Sequence, residues 1–485
     1  MSSRALVAKN AFLMVVSQLV TNGLSFITLP LLARTLGSND YGIWWLAVSV
    51  SSFAALFMEA GQDGYASLAV ARQRERAAEF LATTSALRVL LTIVILPFVF
   101  AATWILKYDW NTRETILLLF VSCMPAYIAR GAMSAVRGLE KMGWPAAARI
   151  GTECMHTAAL FIGVWMGVRL RGFAVIEICA ATFELLLSGW LIGRLNLGKW
   201  TPTMAAAKDL LKGGAPFLLW SGFLILQPSI ESVLLSKLAS VEAVGWYGAA
   251  NKLSGVLLFP AVIMTGALLP TLTRLKESNP DSYQRAARES LRLALVLGAP
   301  TAMGTYLFAD RVVPWIFGPG FEPTAADLKV LAFYLLPLFV NITLGTILII
   351  SRKQFIWSLV KGVMIVLAAG ISFWILPYWQ HRAGNGGIGA AMMVAVGELG
   401  MLAAAIVLLP KGLLQMSALF DTLRAVAASA VMMLAAHFLE GFPLAVGLIL
   451  APVAYLAAQV VFGGVGLKDV SFLRDMRRGA IGSRG

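Results

Sequence analysis

The residue types that usually carry chemistry are few and scattered in this sequence of 485 residues. The histidines, His156, His381 and His437, have no partner at a metal-ligand or catalytic spacing. The three cysteines lie in apolar runs without a C-x-x-C pair, so neither a disulfide framework nor a zinc site is expected. D-x-D, H-E-x-x-H, P-loop and G-x-S-x-G motifs are absent from the sequence. We therefore predict no catalytic residue, no metal, no cofactor and no enzymatic activity.

Charged residues inside long apolar runs are the more informative feature. The basic ones are Arg88, Arg130, Arg149, Lys252 and Lys361. Each would cost about 2.5–3.5 kcal/mol at the centre of a membrane helix, so it must face water, a counter-charge or a ligand. All except Lys252 fall at one predicted depth near the cytoplasmic face, and Lys252 falls near the opposite face. This pattern predicts a cationic cavity for an anionic head group such as a pyrophosphate. Snorkelling or local pairing is the alternative.

Acidic residues in the same runs are candidates for proton or sodium coupling, because a carboxylate in a low dielectric can exchange protons near neutral pH. The candidates are Glu153, Glu184, Glu231 and Glu398. Arg149 and Glu153 share a helix face with His156, so a local ion pair is one expectation. Glu231 and Lys252 fall at similar depth on sequential helices and either pair permanently or exchange partners during transport. Asp63 is assigned to a loop.

The composition places these charges in a membrane protein. Hydrophobic residues make up 59% of the chain and charged residues 13%, whereas soluble domains are about 45–50% apolar and about 25% charged. This balance excludes soluble enzymes, disordered scaffolds and nucleic-acid-binding proteins. The net charge of +14 is the excess expected of cytoplasmic loops that face anionic lipid.

Apolar runs of about 20 residues, the length that crosses a bilayer, predict about fourteen transmembrane helices. They fall at about 11–33, 41–61, 83–106, 115–136, 145–168, 172–193, 213–236, 245–270, 291–309, 328–350, 355–376, 387–409, 424–439 and 443–463. Lys and Arg concentrate in the loops on one side, which predicts that both termini are cytoplasmic.

An internal repeat divides the predicted helices. LLARTLGSNDYGIW at 31–44 aligns with LLSKLASVEAVGWY at 234–247, pairing Leu31 with Leu234 and Gly42 with Gly245. A polar gap separates six helices from the next six, so the two halves have the same orientation and predict a pseudo-twofold axis along the membrane normal. The predicted parts are two six-helix lobes at 1–200 and 201–410, two additional helices at 411–465, and a basic cytoplasmic tail at 466–485.

Several short segments resemble one transporter superfamily. The two repeat segments at 31–44 and 234–247 are similar to segments of polysaccharide transporters of the multidrug/oligosaccharidyl-lipid/polysaccharide exporter superfamily. The same holds for LLPTLTRL at the end of the eighth helix and for WIFGPGFEPTAADLKVLAF at 315–333. These are the Wzx-type flippases, and the resemblance covers about residues 8–410. It implies that a carboxylate near Glu231 takes part in ion or substrate coupling. Lipid II flippases of this superfamily carry charges in helix one, whereas residues 11–33 carry none, which favours the polysaccharide branch.

The resemblance and the charge pattern together predict a flippase of the bacterial inner membrane. It would move undecaprenyl-pyrophosphate-linked oligosaccharide repeat units from the cytoplasmic to the periplasmic leaflet by alternating access, for O-antigen or exopolysaccharide biosynthesis. The expected partners are this substrate and membrane lipids, with H⁺ or Na⁺ and other polysaccharide assembly proteins as further candidates and no nucleic acid. The alternatives are a cation-coupled drug or metabolite exporter of the same fold and a membrane glycan polymerase or ligase, which the short loops disfavour.

Overall fold

The computed structural model describes residues 3–195, 197–409, 413 and 416–464, and every regular element in these ranges is helical. The predicted all-α membrane fold is confirmed. Lys411 and the predicted basic tail at 466–485 lie outside the described residues.

The helices follow one another with short connections. The first seven are α1 (Ser3–Glu59), α2 (Gln62–Arg72), α3 (Ala77–Ile105), α4 (Trp110–Gly138), α5 (Gly143–Trp165), α6 (Leu170–Gly193) and α7 (Met204–Leu238). The next eight are α8 (Val241–Leu257), α9 (Phe259–Ser278), α10 (Pro280–Phe317), α11 (Thr324–Ile350), α12 (Gln354–Ala383), α13 (Gly387–Leu408), α14 (Met416–Phe438) and α15 (Leu444–Val461).

Eleven helical segments of the described chain are long and apolar enough to cross a bilayer. The first of them runs from Phe12 to Arg72 and contains both of the first two predicted spans. α5 and α7 coincide with predicted spans but are not among the eleven. The count of about fourteen crossings therefore stays a prediction. The first two predicted runs fall together in α1 and the eighth covers α8 and α9, whereas each of the others overlaps one helix.

The two repeat corners both break a helix, and they break it at equivalent positions. Inside α1, Gly37 adopts φ 72° and ψ 172°, a conformation that is essentially restricted to glycine. With Leu31 aligned to Leu234, Gly37 falls on Ser240, the N-cap of α8, whose side chain accepts from the Ala243 amide at 3.2 Å. A glycine kink in one half thus corresponds to a capped helix start in the other. The symmetry axis itself stays a prediction.

The chain forms two compact units that divide between Lys237 and Leu238, whereas the sequence analysis placed the division near residue 200. The difference concerns α7, which hydroxyl contacts hold to the first unit. Ser229 Oγ donates to the Ser49 carbonyl at 2.8 Å, and the Ser232 and Ser49 hydroxyls lie 3.0 Å apart. Ser236 Oγ lies 2.8 Å from the Tyr108 hydroxyl. Buried hydroxyl contacts of this kind join membrane helices where apolar burial gives little driving force.

A buried apolar cluster fills the other end of the first unit. Phe80 of α3, Met133 of α4, Ile192 of α6 and Leu210 of α7 belong to it. In the second unit, α14 and α15 pack against α10 through a cluster that includes Phe308, Met432 and Tyr455. The predicted extra pair of helices is therefore joined to the second unit by its own core.

The break between α1 and α2 packs closely against the backbone of α7. Ala60 and Gly61 both have positive φ, 48° and 70°, and together they end α1 and start α2. A Cβ on Gly61 would lie 2.1 Å from the carbonyl oxygen of Gly214 in α7. A Cβ on Gly214 would in turn lie 2.5 Å from the Ala60 carbonyl oxygen. Glycine at both positions allows the two backbones to touch.

We expect Gly61→Ala to destabilise the protein more than Gly167→Ala. Both glycines have φ 70°, but nothing lies within 4 Å of a Cβ on Gly167. The control substitution should cost about 1–2 kcal/mol for the left-handed backbone alone. Gly61→Ala should cost about 1–3 kcal/mol more, because its Cβ overlaps α7. Thermal unfolding of the purified proteins in detergent measures the difference, and equal losses would contradict the contact.

Candidate functional site

Arg88 of α3 is the most deeply buried of the predicted site residues, with 0% of its side chain exposed. Its Nη2 donates to Asp63 Oδ1 at 2.7 Å, and its Nη1 donates to the backbone carbonyl of Tyr127 in α4. Asp63, which the sequence analysis assigned to a loop, lies in the first turn of α2 directly after the left-handed break. Arg88 thus joins three helices through a charge pair and a carbonyl.

A small residue on α4 makes room for this guanidinium. A Cβ on Gly131 would lie 2.5 Å from Arg88 Nη1 and 2.8 Å from Thr84 Cγ2. Gly131 follows Tyr127 by four residues, so the two positions lie on the same face of the helix. This face of α4 therefore accommodates the Arg88 side chain and accepts its hydrogen bond.

Arg130 lies next to the same tyrosine but is open to its surroundings. Its side chain is 54% exposed, and its guanidinium carbon lies 5.1 Å from the centre of the Tyr127 ring. The Arg88 guanidinium carbon lies 5.9 Å from that ring, so Tyr127 contacts both cations. Arg130 Nε is 3.9 Å from Glu184 Oε1 of α6, at the outer limit of an ion pair. The structure thus brings Arg88 and Arg130 together around Tyr127, and no described residue accepts a hydrogen bond from the Arg130 guanidinium.

The polar face of α5 contacts its neighbours rather than pairing with itself. Glu153 Oε1 accepts from the Ser25 hydroxyl of α1 at 3.0 Å, and His156 Nε2 lies 2.9 Å from Glu177 Oε1 of α6. Arg149 is exposed, and among the described residues it has no ion pair with Glu153. The local Arg149–Glu153 pair expected as one alternative is therefore not formed in this structure.

The second unit has a buried charged cluster of its own. Glu398 of α13 is 2% exposed, and its Oε1 accepts from Lys361 Nζ of α12 at 2.5 Å. Asn341 of α11 donates to Glu398 Oε2 at 2.7 Å and to the Glu398 carbonyl at 2.8 Å. One predicted cation and one predicted coupling carboxylate thus form a pair that an amide supports.

The remaining predicted pair lies in two different units. Glu231 is a half-buried residue of α7 in the first unit, and Lys252 is an exposed residue of α8 in the second. Their proposed pairing or exchange stays a prediction.

Sequence reasoning missed Asn341 and the buried Asp327, and it assigned Asp63 to a loop. Asp63 and Asp327 stand at the starts of helices, next to apolar runs rather than within them. Asp327 is 0% exposed, and its Oδ1 accepts from Asn385 at 2.8 Å. Asn341 stands in the middle of an apolar run. A polar amide at such a position was the sequence signal that could have identified this residue.

Charged side chains within apolar helices of this kind mark the substrate and ion pathways of membrane transporters. The sequence profile of the polysaccharide biosynthesis protein family matches residues 7–276. The chain belongs to this family, and the resemblance drawn from the sequence corners is confirmed.

Two relatives agree with this assignment, and one solved structure shares the fold. A putative O-antigen transporter of Escherichia coli (strain K12) is 20% identical over 64% of this chain and 75% of its own length. The succinoglycan biosynthesis transport protein ExoT of Rhizobium meliloti (strain 1021) is 23% identical over 64% of this chain and 63% of its own. The inward closed conformation of the lipid II flippase MurJ superposes with a TM-score of 0.72 at 12% identity, over 95% of this chain and 99% of that one. The last match shows a shared fold.

We expect Asp63→Asn to destabilise the protein strongly, because it removes the carboxylate that is hydrogen-bonded to the buried Arg88 guanidinium. Removing one partner of a buried pair costs about 3–5 kcal/mol. The matched control is Glu140→Gln, since Glu140 pairs with Arg74 at the same 2.7 Å but both side chains are more than half exposed, at 56% and 59%. That change should cost at most about 1 kcal/mol. Thermal unfolding in detergent compares them, and a loss no larger for Asp63→Asn would show that Arg88 does not depend on the pair.

Proposed function

We propose that the protein is a flippase for lipid-linked oligosaccharides. Its membership of the polysaccharide biosynthesis protein family carries the proposal, and the names of its relatives, an O-antigen transporter and a succinoglycan transport protein, support it. The substrate class is an undecaprenyl-pyrophosphate oligosaccharide repeat unit, moved from the cytoplasmic to the periplasmic leaflet by alternating access. Proteins that assemble the polysaccharide before and after this step are the expected partners.

Recognition of the pyrophosphate is assigned to the basic residues. Arg130 and Arg149 are exposed and have donors that no described residue occupies, and a guanidinium can bind phosphate oxygens in a bidentate manner. Arg88 and Lys361 already hold carboxylates, so each would have to exchange a partner in order to bind substrate. Arg130 is therefore the first choice for direct contact with the pyrophosphate. Lys252 is exposed and remains among the proposed substrate-binding residues.

Ion coupling is assigned to the carboxylates Glu153, Glu184, Glu231 and Glu398. Glu398 has a defined partner for each of its two carboxylate oxygens. A proton on Glu398 would weaken the contact to Lys361 Nζ and leave the contact to Asn341 in place. A proton would in this way release a cation inside the second unit.

The proposed location is the bacterial inner membrane, with both termini in the cytoplasm as the loop charge bias predicts. Catalysis is not part of the proposal. A drug or metabolite exporter of the same fold is expected to use acidic and aromatic side chains for a cationic ligand, whereas Arg130 offers an exposed cation.

We expect Arg130→Gln to reduce outward movement of the lipid-linked glycan at least about tenfold, the factor of one charge-assisted hydrogen bond. Arg130→Lys should be intermediate, because an ammonium keeps the charge but loses bidentate geometry. Glycan accumulation in the cytoplasmic leaflet and polysaccharide production by the deletion host measure the effect.

The control for Arg130 is Arg113→Gln. Arg113 lies on the same helix and its guanidinium carbon is 4.6 Å from the Trp104 ring centre, so the change removes a comparable stacked cation at the other end of α4. Transport that falls equally in both variants, or in neither, would refute the assignment of Arg130.

We expect Glu398→Gln to give transport that no longer responds to pH, if Glu398 carries the coupling proton. A permanent Lys361–Glu398 pair predicts instead a stability loss of about 3–5 kcal/mol, largely reversed in a Glu398→Gln, Lys361→Met double variant. Flipping assays at several pH values, together with thermal unfolding of both variants, separate the two outcomes. Unchanged transport with an unchanged pH response would remove Glu398 from the coupling mechanism.

A further inference from the structure

A cavity of about 300 Å³ lies in the second unit between α10 and α14, and none of the candidate site residues discussed above lines it. Its apolar wall is formed by Leu307 and Phe308 of α10 with Met433 and Leu434 of α14. Arg311, His437 and Glu440 complete the lining. Volumes of this size stand at the lower end of those that hold small molecules.

The position of the cavity along the helices places it at a membrane interface. α14 ends at Phe438 and α15 begins at Leu444, and both are long and apolar enough to cross the bilayer. The turn between them, with Glu440, must therefore lie near the head groups. Met433 and Leu434 are 45% and 56% exposed. Since Met433 precedes His437 by four residues, the apolar wall extends about 6 Å deeper into the bilayer.

Two opposite charges at the polar end of the cavity keep unused hydrogen-bonding capacity. Arg311 Nη2 donates to the Phe442 carbonyl at 2.6 Å, and no described residue accepts from its other nitrogens. Glu440 Oε1 lies 3.2 Å from His437 Nδ1, and its second oxygen accepts from no residue in the described ranges. The neighbouring Asp310 is paired with Lys329 at 2.5 Å, so it does not neutralise Arg311.

We propose that this cavity binds a membrane phospholipid whose zwitterionic head group carries a primary ammonium, as in phosphatidylethanolamine. The lipid phosphate accepts from Arg311, the ammonium donates to Glu440, and an acyl chain lies along Met433 and Leu434. Each charge of the head group thereby meets the opposite charge of the protein.

The charge arrangement selects this head group over the other candidates. A choline head group has no N–H to donate to Glu440. A glycerol head group leaves the phosphate negative charge facing Glu440 without a cation between them. A pyrophosphate substrate adds further negative charge at the same carboxylate, so the site is distinct from the proposed transport cavity.

The test is lipid selection by the purified full-length protein. The protein is exchanged into mixed vesicles or nanodiscs with equal amounts of ethanolamine, choline and glycerol phospholipids of identical acyl chains, and tightly retained lipid is quantified by mass spectrometry. We expect the wild type to retain the ethanolamine lipid about tenfold over the choline lipid, the factor of one charge-assisted hydrogen bond. Glu440→Gln should remove this preference, and Arg311→Gln should lower the retention of all three lipids.

The controls are Glu322→Gln and Arg382→Gln, which remove the same charges from exposed positions of the second unit outside the cavity. They should retain lipid as the wild type does. Equal retention of ethanolamine and choline lipids by the wild type would overturn the proposal. So would a preference for the glycerol lipid, a preference that survives Glu440→Gln, or an equal loss in the control variants. The measurement needs no transport, so its result is independent of the flippase assignment.

Discussion

Hydrocarbon offers no hydrogen-bond partners, so each charge within the bundle has to find one in the protein or at the membrane surface. In the first unit this constraint joins α2, α3 and α4, because Arg88 holds both Asp63 and the Tyr127 carbonyl. In the second unit it joins α11, α12 and α13, because Glu398 accepts from Lys361 and Asn341. Apolar side chains are about as well solvated by lipid as by each other. The polar contacts therefore specify how these helices are rotated and which neighbours they take.

The same constraint separates the basic residues into two groups. Arg88 and Lys361 each have a carboxylate within 2.7 Å and are largely enclosed, so their charge is already used to hold helices together. Arg130 has a carboxylate only at 3.9 Å and is half exposed. A charge this open needs hydration or an anionic ligand inside a membrane protein. Residues that look equivalent in sequence thus differ in whether their charge is available.

The helices were predictable because the length and apolar character of a span are local properties of the chain. α13 and α15 begin and end within a few residues of the predicted runs, whereas α10 extends beyond its run at both ends. The residues that pair with the buried charges were not predictable from the sequence, because the pairing depends on backbone breaks and on the rotation of each helix. Asp63 reaches Arg88 only after Ala60 and Gly61 take left-handed conformations. The association of α7 with the first unit was equally hard to predict, because the contacts that form it, such as the hydrogen bond from Ser229 to the Ser49 carbonyl, join residues far apart in sequence. The hydropathy of the sequence indicates neither the Asp63–Arg88 pair nor the association of α7 with the first unit.

A transporter has to release its ligand, and this favours the exposed cation for substrate contact. A fully desolvated ion pair resists separation, because each partner would be left as an uncompensated charge. An exposed charge-assisted contact contributes less, about 1–2 kcal/mol. For the proposed outward movement of an anionic substrate, a potential negative inside contributes about 2.3 kcal/mol per charge per 100 mV. For a pyrophosphate with two negative charges the total is about 4.6 kcal/mol, which is well above the contribution of an exposed contact and only comparable to the cost of about 3–5 kcal/mol for breaking a buried pair. The potential therefore releases an anion from Arg130 far more readily than an anion held in the place of Asp63.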